Sequence, residues 1–304
     1  MLSRYSRDYD KEQYVEDGYT IIKNAFPTED LEAFRLAFQN VISVVLKRAA
    51  EKHPELKGAV VGEYCDEGLL ALRQFDPEYL AVAQRLISRS PEFFRLSSNP
   101  KVFAIIRDLM DLPELSPLYL LSNGIVMTAP NSNKYSLSSD LTLDWHKDNF
   151  FTIPESEYIQ FWAPLIHDAK KSIGPLKLCK GSHKAGIDKQ IFQPDESYIH
   201  QYVMEPGVAD QYDHVSPEVQ LGDLLLFHHH LIHASGVNST QNNVRISIIG
   251  LSHNASRNEC DPLLIEYRYK NKTPEEWFYE VFSDENAKRM SSIHASVGEP
   301  VGGV

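Results

Sequence analysis

From residue 116 onward the chain breaks into short apolar runs: PLYLLSNGIVMT, YIQFWAPLI, PLKLC, LGDLLLF and VRISIIGL. Each is bounded by Gly, Pro, Asn, Asp or Ser. Runs of this length and punctuation read as strands, and so many in succession need a sandwich or barrel to bury their faces. The first third of the chain has a different period. Leu31, Phe34, Phe38, Val41 and Val45 recur at spacings of three and four, the mark of one buried helical face. Thr28 stands ahead of them as an N-cap, with Glu29 and Asp30 in the first turn, where acids favour the helix dipole. Asp76-Pro77-Glu78 and Asn99-Pro100 mark two further helix starts. The expected helices span about 28–50, 77–90 and 100–111, with ends good to about 2–4 residues. A C-terminal helix is expected at about 273–290, starting at Thr273-Pro274-Glu275-Glu276, and the tail 291–304 is small and polar enough to be disordered.

No repeat, linker or low-complexity segment divides the 304 residues. The expectation is one α+β domain over 1–290: a helical part to about 115, a β core over about 116–255, then the last helix. The formal charge of −12 argues against nonspecific nucleic-acid binding, which needs basic surface, and gives no support for docking on anionic membranes. The charged N-terminus lacks the apolar core of a signal peptide, and no apolar run approaches the ~20 residues of a membrane span. Cys65, Cys179 and Cys260 are odd in number and far apart, which suits a reducing compartment, the cytoplasm by default.

Two stretches carry chemistry. In LDWHKDNFF, His146 and Asp148 lie two apart, so an extended backbone aims an imidazole and a carboxylate at one point. Ordinary surface loops hold such pairs too, and a metal would need a third ligand from another strand. The second stretch is HHHLIHASG, with four of the chain's twelve histidines at 228, 229, 230 and 233. Positions 228–230 are consecutive, so alternation keeps them from sharing one face; they read as a strand end and polar turn with one satisfied histidine. His233 opens a new extended segment whose face Ser235 shares. Arg245 opens the next apolar strand, where a buried guanidinium is costly unless an anion neutralises it. A dicarboxylate would be such an anion, held by the guanidinium fork.

Taken together, these stretches resemble the phytanoyl-CoA dioxygenase family of Fe(II)- and 2-oxoglutarate-dependent oxygenases. The resemblance rests on Trp145-His146-Lys147-Asp148, Phe161-Trp162-Ala163-Pro164-Leu165, Gly174-Pro175-Leu176 and Gly181-Ser182-His183-Lys184. It continues through Gly222-Asp223, His233-x-Ser235, Asn238 and Arg245, and in all it runs from about residue 13 to 252. It implies a double-stranded β-helix, a cupin-like jelly roll braced by the N-terminal helices. His146, Asp148 and His233 would hold Fe(II), Arg245 would bind the far carboxylate of 2-oxoglutarate, Ser235 would assist it and Trp162 would wall that pocket. With O₂ the reaction would oxidise a C–H bond of a small organic substrate and release succinate and CO₂. The Asp148 carboxylate favours hydroxylation, because halogenating relatives put a small residue there. Lys180 before Gly181 and Ile173 before Gly174 depart from the family pattern, at positions that shape loops and ligate nothing.

Other side chains carry bland readings alongside sharp ones. His183 holds a loop at the barrel mouth or touches substrate, and Asp223 makes turn hydrogen bonds. Cys179 is a small buried hydrophobe. Phe150 and Phe151 line a pocket or fill core. The segment 185–215 reads as an insertion of the kind that forms a lid over a barrel mouth. The rival function is a cupin-like metal-binding protein or non-oxidative metalloenzyme without 2-oxoglutarate, which would have no need of Arg245. Substrate and oligomeric state, monomer or homodimer, are not legible.

Overall fold

The structure is a computed structural model that describes residues 8–76, 78–130, 142–148, 157–185, 190–193 and 201–254. The expected C-terminal helix and tail, Cys260, Phe150 and Phe151 lie outside the described residues. Six helices come first: α1 (Lys11–Asp17), α2 (Thr28–Lys52), α3 (Asp66–Phe75), α4 (Glu78–Ile87), α5 (Pro91–Ser97) and α6 (Pro100–Leu109). A short strand, β1 (Tyr19–Ile22), lies between α1 and α2. The other strands follow as β2 (Leu118–Thr128), β3 (Tyr158–Pro164), β4 (Lys177–Cys179), β5 (Gln190–Gln193) and β6 (Gln201–Met204), then β7 (His214–Val215), β8 (Leu224–His228), β9 (His233–Ala234) and β10 (Arg245–Asn254).

Each apolar run read as a strand is one. They pair antiparallel in a five-stranded sheet of order β1-β8-β3-β10-β2, facing a smaller sheet of order β7-β4-β9. This is the α+β jelly roll, with a β5–β6 hairpin beside it. The described part of the 185–215 insertion includes that hairpin and a Met204 N–H bond to the Trp145 carbonyl at 2.7 Å.

The helices cover the outer face of the large sheet. Leu31, Phe34, Phe38, Ile42, Val45, Leu46 and Ala49 form the buried stripe of α2, with Val41 at its edge. They share one core with Ile125, Met127, Phe161, Ala163, Leu224, Leu226, Ile246 and Ile248 of the sheet. Burying one such large side chain contributes about 1.5–3 kcal/mol. Thr28 is the first helical residue of α2, and Pro27 occupies the cap with no side-chain hydrogen bond. Asn99 does cap α6, accepting from Lys101 N and Val102 N, and Asp76 accepts from Glu78 N at the start of α4. Three helices escaped the sequence reading: α1, α3 and α5.

Alternation along the paired strands gives the large sheet a second, inner face. The register sets Arg245 opposite Thr128, Ser247 opposite Pro164, Ile249 opposite Trp162 and Leu251 opposite Gln160. That face looks toward the small sheet, and the candidate site lies between them.

Candidate metal centre

His146 and His233 are brought together by backbone. Each donates its N–H to the other's carbonyl, at 2.9 and 3.0 Å, in an isolated antiparallel bridge. Ser235 extends the pairing: its N–H donates to the Leu143 carbonyl, and its hydroxyl accepts from Leu143 N at 3.0 Å. On its other side His233 pairs with Leu178 of β4. Two neighbouring segments therefore fix the ring that closes the cluster.

Both imidazoles are oriented the same way. Nδ1 of His146 donates to the Asp144 carbonyl at 2.6 Å, and Nδ1 of His233 donates to the Leu231 carbonyl at 3.0 Å. A carbonyl cannot donate, so Nδ1 carries a proton in both rings, and Nε2 is the nitrogen left to meet the carboxylate or, once unprotonated, a metal. The two Nε2 atoms face the Asp148 carboxylate, His146 at 3.4 Å from Oδ1 and His233 at 3.5 Å from Oδ2. The ligand atoms of the three residues lie within 4.8 Å of one another. Burial alone would push the Asp148 carboxyl up, but hydrogen bonds and charge from His146 and His233 outweigh it and hold the group well below the usual carboxylate range. Burial likewise pulls His146 down, and Asp148 more than offsets it, so its pKa is raised. An anionic carboxylate between two Nε2 atoms is a donor set for a divalent transition metal, which would replace the Nε2 protons and leave other positions open. The edge of Phe227, from the large sheet, closes on the His233 ring at 4.9 Å between centroids.

Arg245 is 3% exposed. It donates through Nη1 to the Gly174 carbonyl and, at 3.0 Å, to the Gly236 carbonyl, and through Nη2 to Thr128 Oγ1 at 2.8 Å. These acceptors are neutral. The two glycines can serve it because their backbones touch: a Cβ on Gly174 would sit 2.5 Å from the Val237 carbonyl oxygen, and one on Gly236 2.1 Å from that of Pro175. Ser235 faces Leu143 rather than supplying one of those three contacts. Trp162 lies on the inner face, packed with Tyr19, Ile173, Leu176, Leu178, Leu225 and Phe227.

The sequence reading missed Thr128, whose contact with Arg245 follows from the β2–β10 register alone. It also missed two buried inner-face groups, Gln160 Nε2 and Ser247 Oγ, that have no hydrogen-bond partner. A third omission is Asp66 at the start of α3, which accepts from Val244 N at 2.7 Å and meets His167 Nε2 at 2.7 Å, bracing the residue before Arg245. Asp223 does more than make a turn: it accepts from Asn24 N and forms an ion pair with Lys23 at 2.7 Å. His183 sits in a short 3-10 helix, Ser182–Ala185, rather than a loop, hydrogen-bonded to the Val15 carbonyl, and Cys179 is fully buried, its thiol pushed up to about 12 by that burial.

The sequence profile of the phytanoyl-CoA dioxygenase (PhyH) family matches residues 14–247, well over half of the chain. The chain belongs to this family. Among its relatives, the peroxisomal phytanoyl-CoA dioxygenase of Rattus norvegicus is 26% identical over 234 residues, covering 75% of this chain and 63% of that one. A probable phytanoyl-CoA dioxygenase of Caenorhabditis elegans is 24% identical, with 75% and 69% covered. The chain thus spans less than two thirds of the rat protein's length. Similar solved structures include the non-heme alpha ketoglutarate dependent carbocyclase SnoK, with TM-score 0.52, 18% identity and 84% and 86% covered. The epimerase SnoN, solved with Fe3+, alpha ketoglutarate and nogalamycin RO, gives TM-score 0.51, 17% identity and 90% of each chain covered. At such identities these two establish the shared fold of this PhyH-family chain.

Proposed function

We propose that the protein is an Fe(II)- and 2-oxoglutarate-dependent oxygenase that hydroxylates a C–H bond of a small organic molecule, with release of succinate and CO₂. The observation that carries this reading is the convergence of His146 Nε2, His233 Nε2 and the Asp148 carboxylate, with both Nδ1 atoms tied to backbone carbonyls. These three residues would hold the iron, which when bound supplies oxygen activation coupled to decarboxylation of the cosubstrate. Arg245, anchored by Gly174, Gly236 and Thr128, would meet the far carboxylate of 2-oxoglutarate. Its fixed fork costs little ordering when the anion arrives.

The inner face also suits a second organic ligand. Gln160 Nε2 and Ser247 Oγ are buried without partners, and an unsatisfied buried polar group costs about 1–3 kcal/mol. An oxygen on a bound small molecule would offset that cost. Trp162, Leu225 and Phe227 keep the surrounding face apolar and dry. Hydroxylation is favoured over halogenation because Asp148 fills the position where a halide would need room. Among the described residues no helix is long and apolar enough to cross a membrane. The buried free thiols Cys65 and Cys179 suit the cytoplasm.

The test is turnover. Fe(II), 2-oxoglutarate and O₂ are supplied with panels of carboxylic acids, amines and polycyclic natural products, and succinate is counted against product gaining one oxygen atom. A panel member that yields both in equal amounts supports the reading. Substrate-stimulated succinate with an isomerised or cyclised product would keep the oxygenase class and overturn hydroxylation. Metal binding with no 2-oxoglutarate binding would move the cupin-like alternative to the front.

A further inference from the structure

Outside the centre just described, the described residues hold one other group of three side chains with metal-ligating atoms within 4.8 Å of one another: His228, His229 and His230. The expected strand end and turn are there, and it is the turn, not a continuing strand, that lets the three rings approach where alternation would have kept them apart. β8 ends at His228, and the next two residues form a turn whose His230 N–H donates back to His228 Nδ1 at 3.0 Å. The turn folds three consecutive rings onto one side. Ring centroids are 4.2 Å apart for His228–His229 and 4.1 Å for His229–His230.

From this cluster we infer a second metal site, distinct from the His146–Asp148–His233 centre, formed by His228, His229 and His230 and selective for a borderline divalent ion such as Zn(II).

Several features support it. His229 is 9% exposed, and its Nδ1 donates to the Tyr158 carbonyl at 2.9 Å, which fixes the Nε2 lone pair in place. The same backbone anchoring orients the two imidazoles of the iron site. His228 would exchange its hydrogen bond from His230 for a metal–nitrogen bond. A fourth imidazole stands close by: His183 is 5.1 Å from His228 between centroids, and its buried Nδ1 has no hydrogen-bond partner.

The donor chemistry selects the ion. Among the described residues, the titratable groups bearing on His228 and His229 are His183, His230, His253 and Lys147, and none of these is a carboxylate. An all-nitrogen set suits Zn(II), Cu(II) or Ni(II) and disfavours Mg(II) and Ca(II), which require oxygen. An ion here would fix the turn that leads, three residues later, into His233.

The site does not depend on the oxygenase reading, and counting metal tests it without turnover. The full chain is saturated with Zn(II), freed of loose ion by gel filtration, and its bound zinc measured by atomic emission. Two equivalents are expected in the wild-type chain and one in His229→Asn. A chain carrying His146→Ala and Asp148→Ala should keep one equivalent and lose it when His229→Asn is added. Circular dichroism verifies folding of each variant, and if the double variant does not fold, the wild-type and His229→Asn counts decide. A single equivalent in wild type, or a second equivalent that survives His229→Asn, overturns the proposal.

Discussion

The two faces of the large sheet are equally dry and chemically opposite. On the outer face Ile246 and Ile248 of β10 stand with Phe161, Leu224 and Leu226 against the helices. On the inner face the same strand presents Arg245, Ser247 and His253, and β3 presents Tyr158 and Gln160, all of them buried. Burying a hydrocarbon stabilises the fold, whereas burying a polar group costs free energy unless it finds a partner. The outer face therefore contributes stability, whereas the inner face carries polar side chains, among them Gln160 Nε2 and Ser247 Oγ, which have no hydrogen-bond partner and whose burial a ligand would offset. Each face should fail in its own assay when altered.

The largest effect is expected at the metal centre. Asp148→Ala removes the carboxylate between two imidazoles, and Fe(II) affinity should fall by at least ~100-fold, measured by competition with a chelating dye. The unfolding midpoint of the metal-free protein should move little. Next comes Phe34→Ala on α2, where a fully buried ring is lost at about 3–5 kcal/mol. Urea unfolding reads that loss, while iron stoichiometry in the folded protein should stay unchanged. If Phe34→Ala instead changed the stoichiometry, the division of labour between the faces would be wrong. Arg245→Gln comes third. It removes a charge-assisted contact of about 1.5–3 kcal/mol, or roughly 10- to 150-fold in 2-oxoglutarate affinity, with iron binding retained.

The smallest effect is a pH dependence. Burial pulls His253 to about 4 and His229 to about 2. Both rings are neutral in the fold, and in the unfolded chain they protonate near the ordinary value of about 6.5. Their contribution is whole above that pH and is lost as pH falls through the folded values. Metal-free protein should therefore be less stable at pH 5 than at pH 7, and His253→Phe should flatten the slope by about 1–2 kcal/mol. An unchanged slope in His253→Phe would show that the ring is not held neutral by the inner face.

Much of this contrast was legible in the sequence, and the reason differs by region. The strands were readable because their apolar runs are short and punctuated, and α2 because Phe34 and Phe38 recur at helical spacing. α1 and α5 are only seven residues long, too short for periodicity to register, although Ser90-Pro91 marks the start of α5. His146, Asp148 and His233 stood out by type and order. Thr128 did not, because its meeting with Arg245 depends on a register set by tertiary pairing. The convergence of His228, His229 and His230 was hidden for a related reason: the turn was legible, but the direction in which it carries three consecutive rings was not.

The central claim is that His146, Asp148 and His233 form an iron centre whose cosubstrate reaches Arg245. It is tested most directly by adding Fe(II) and 2-oxoglutarate to metal-free protein without oxygen and recording the weak visible charge-transfer band of the chelate. The account predicts a band in wild type and in His230→Ala, none in His233→Ala, and a weakened one in Arg245→Ala. A wild-type protein that binds Fe(II) at these residues yet forms no band would contradict it.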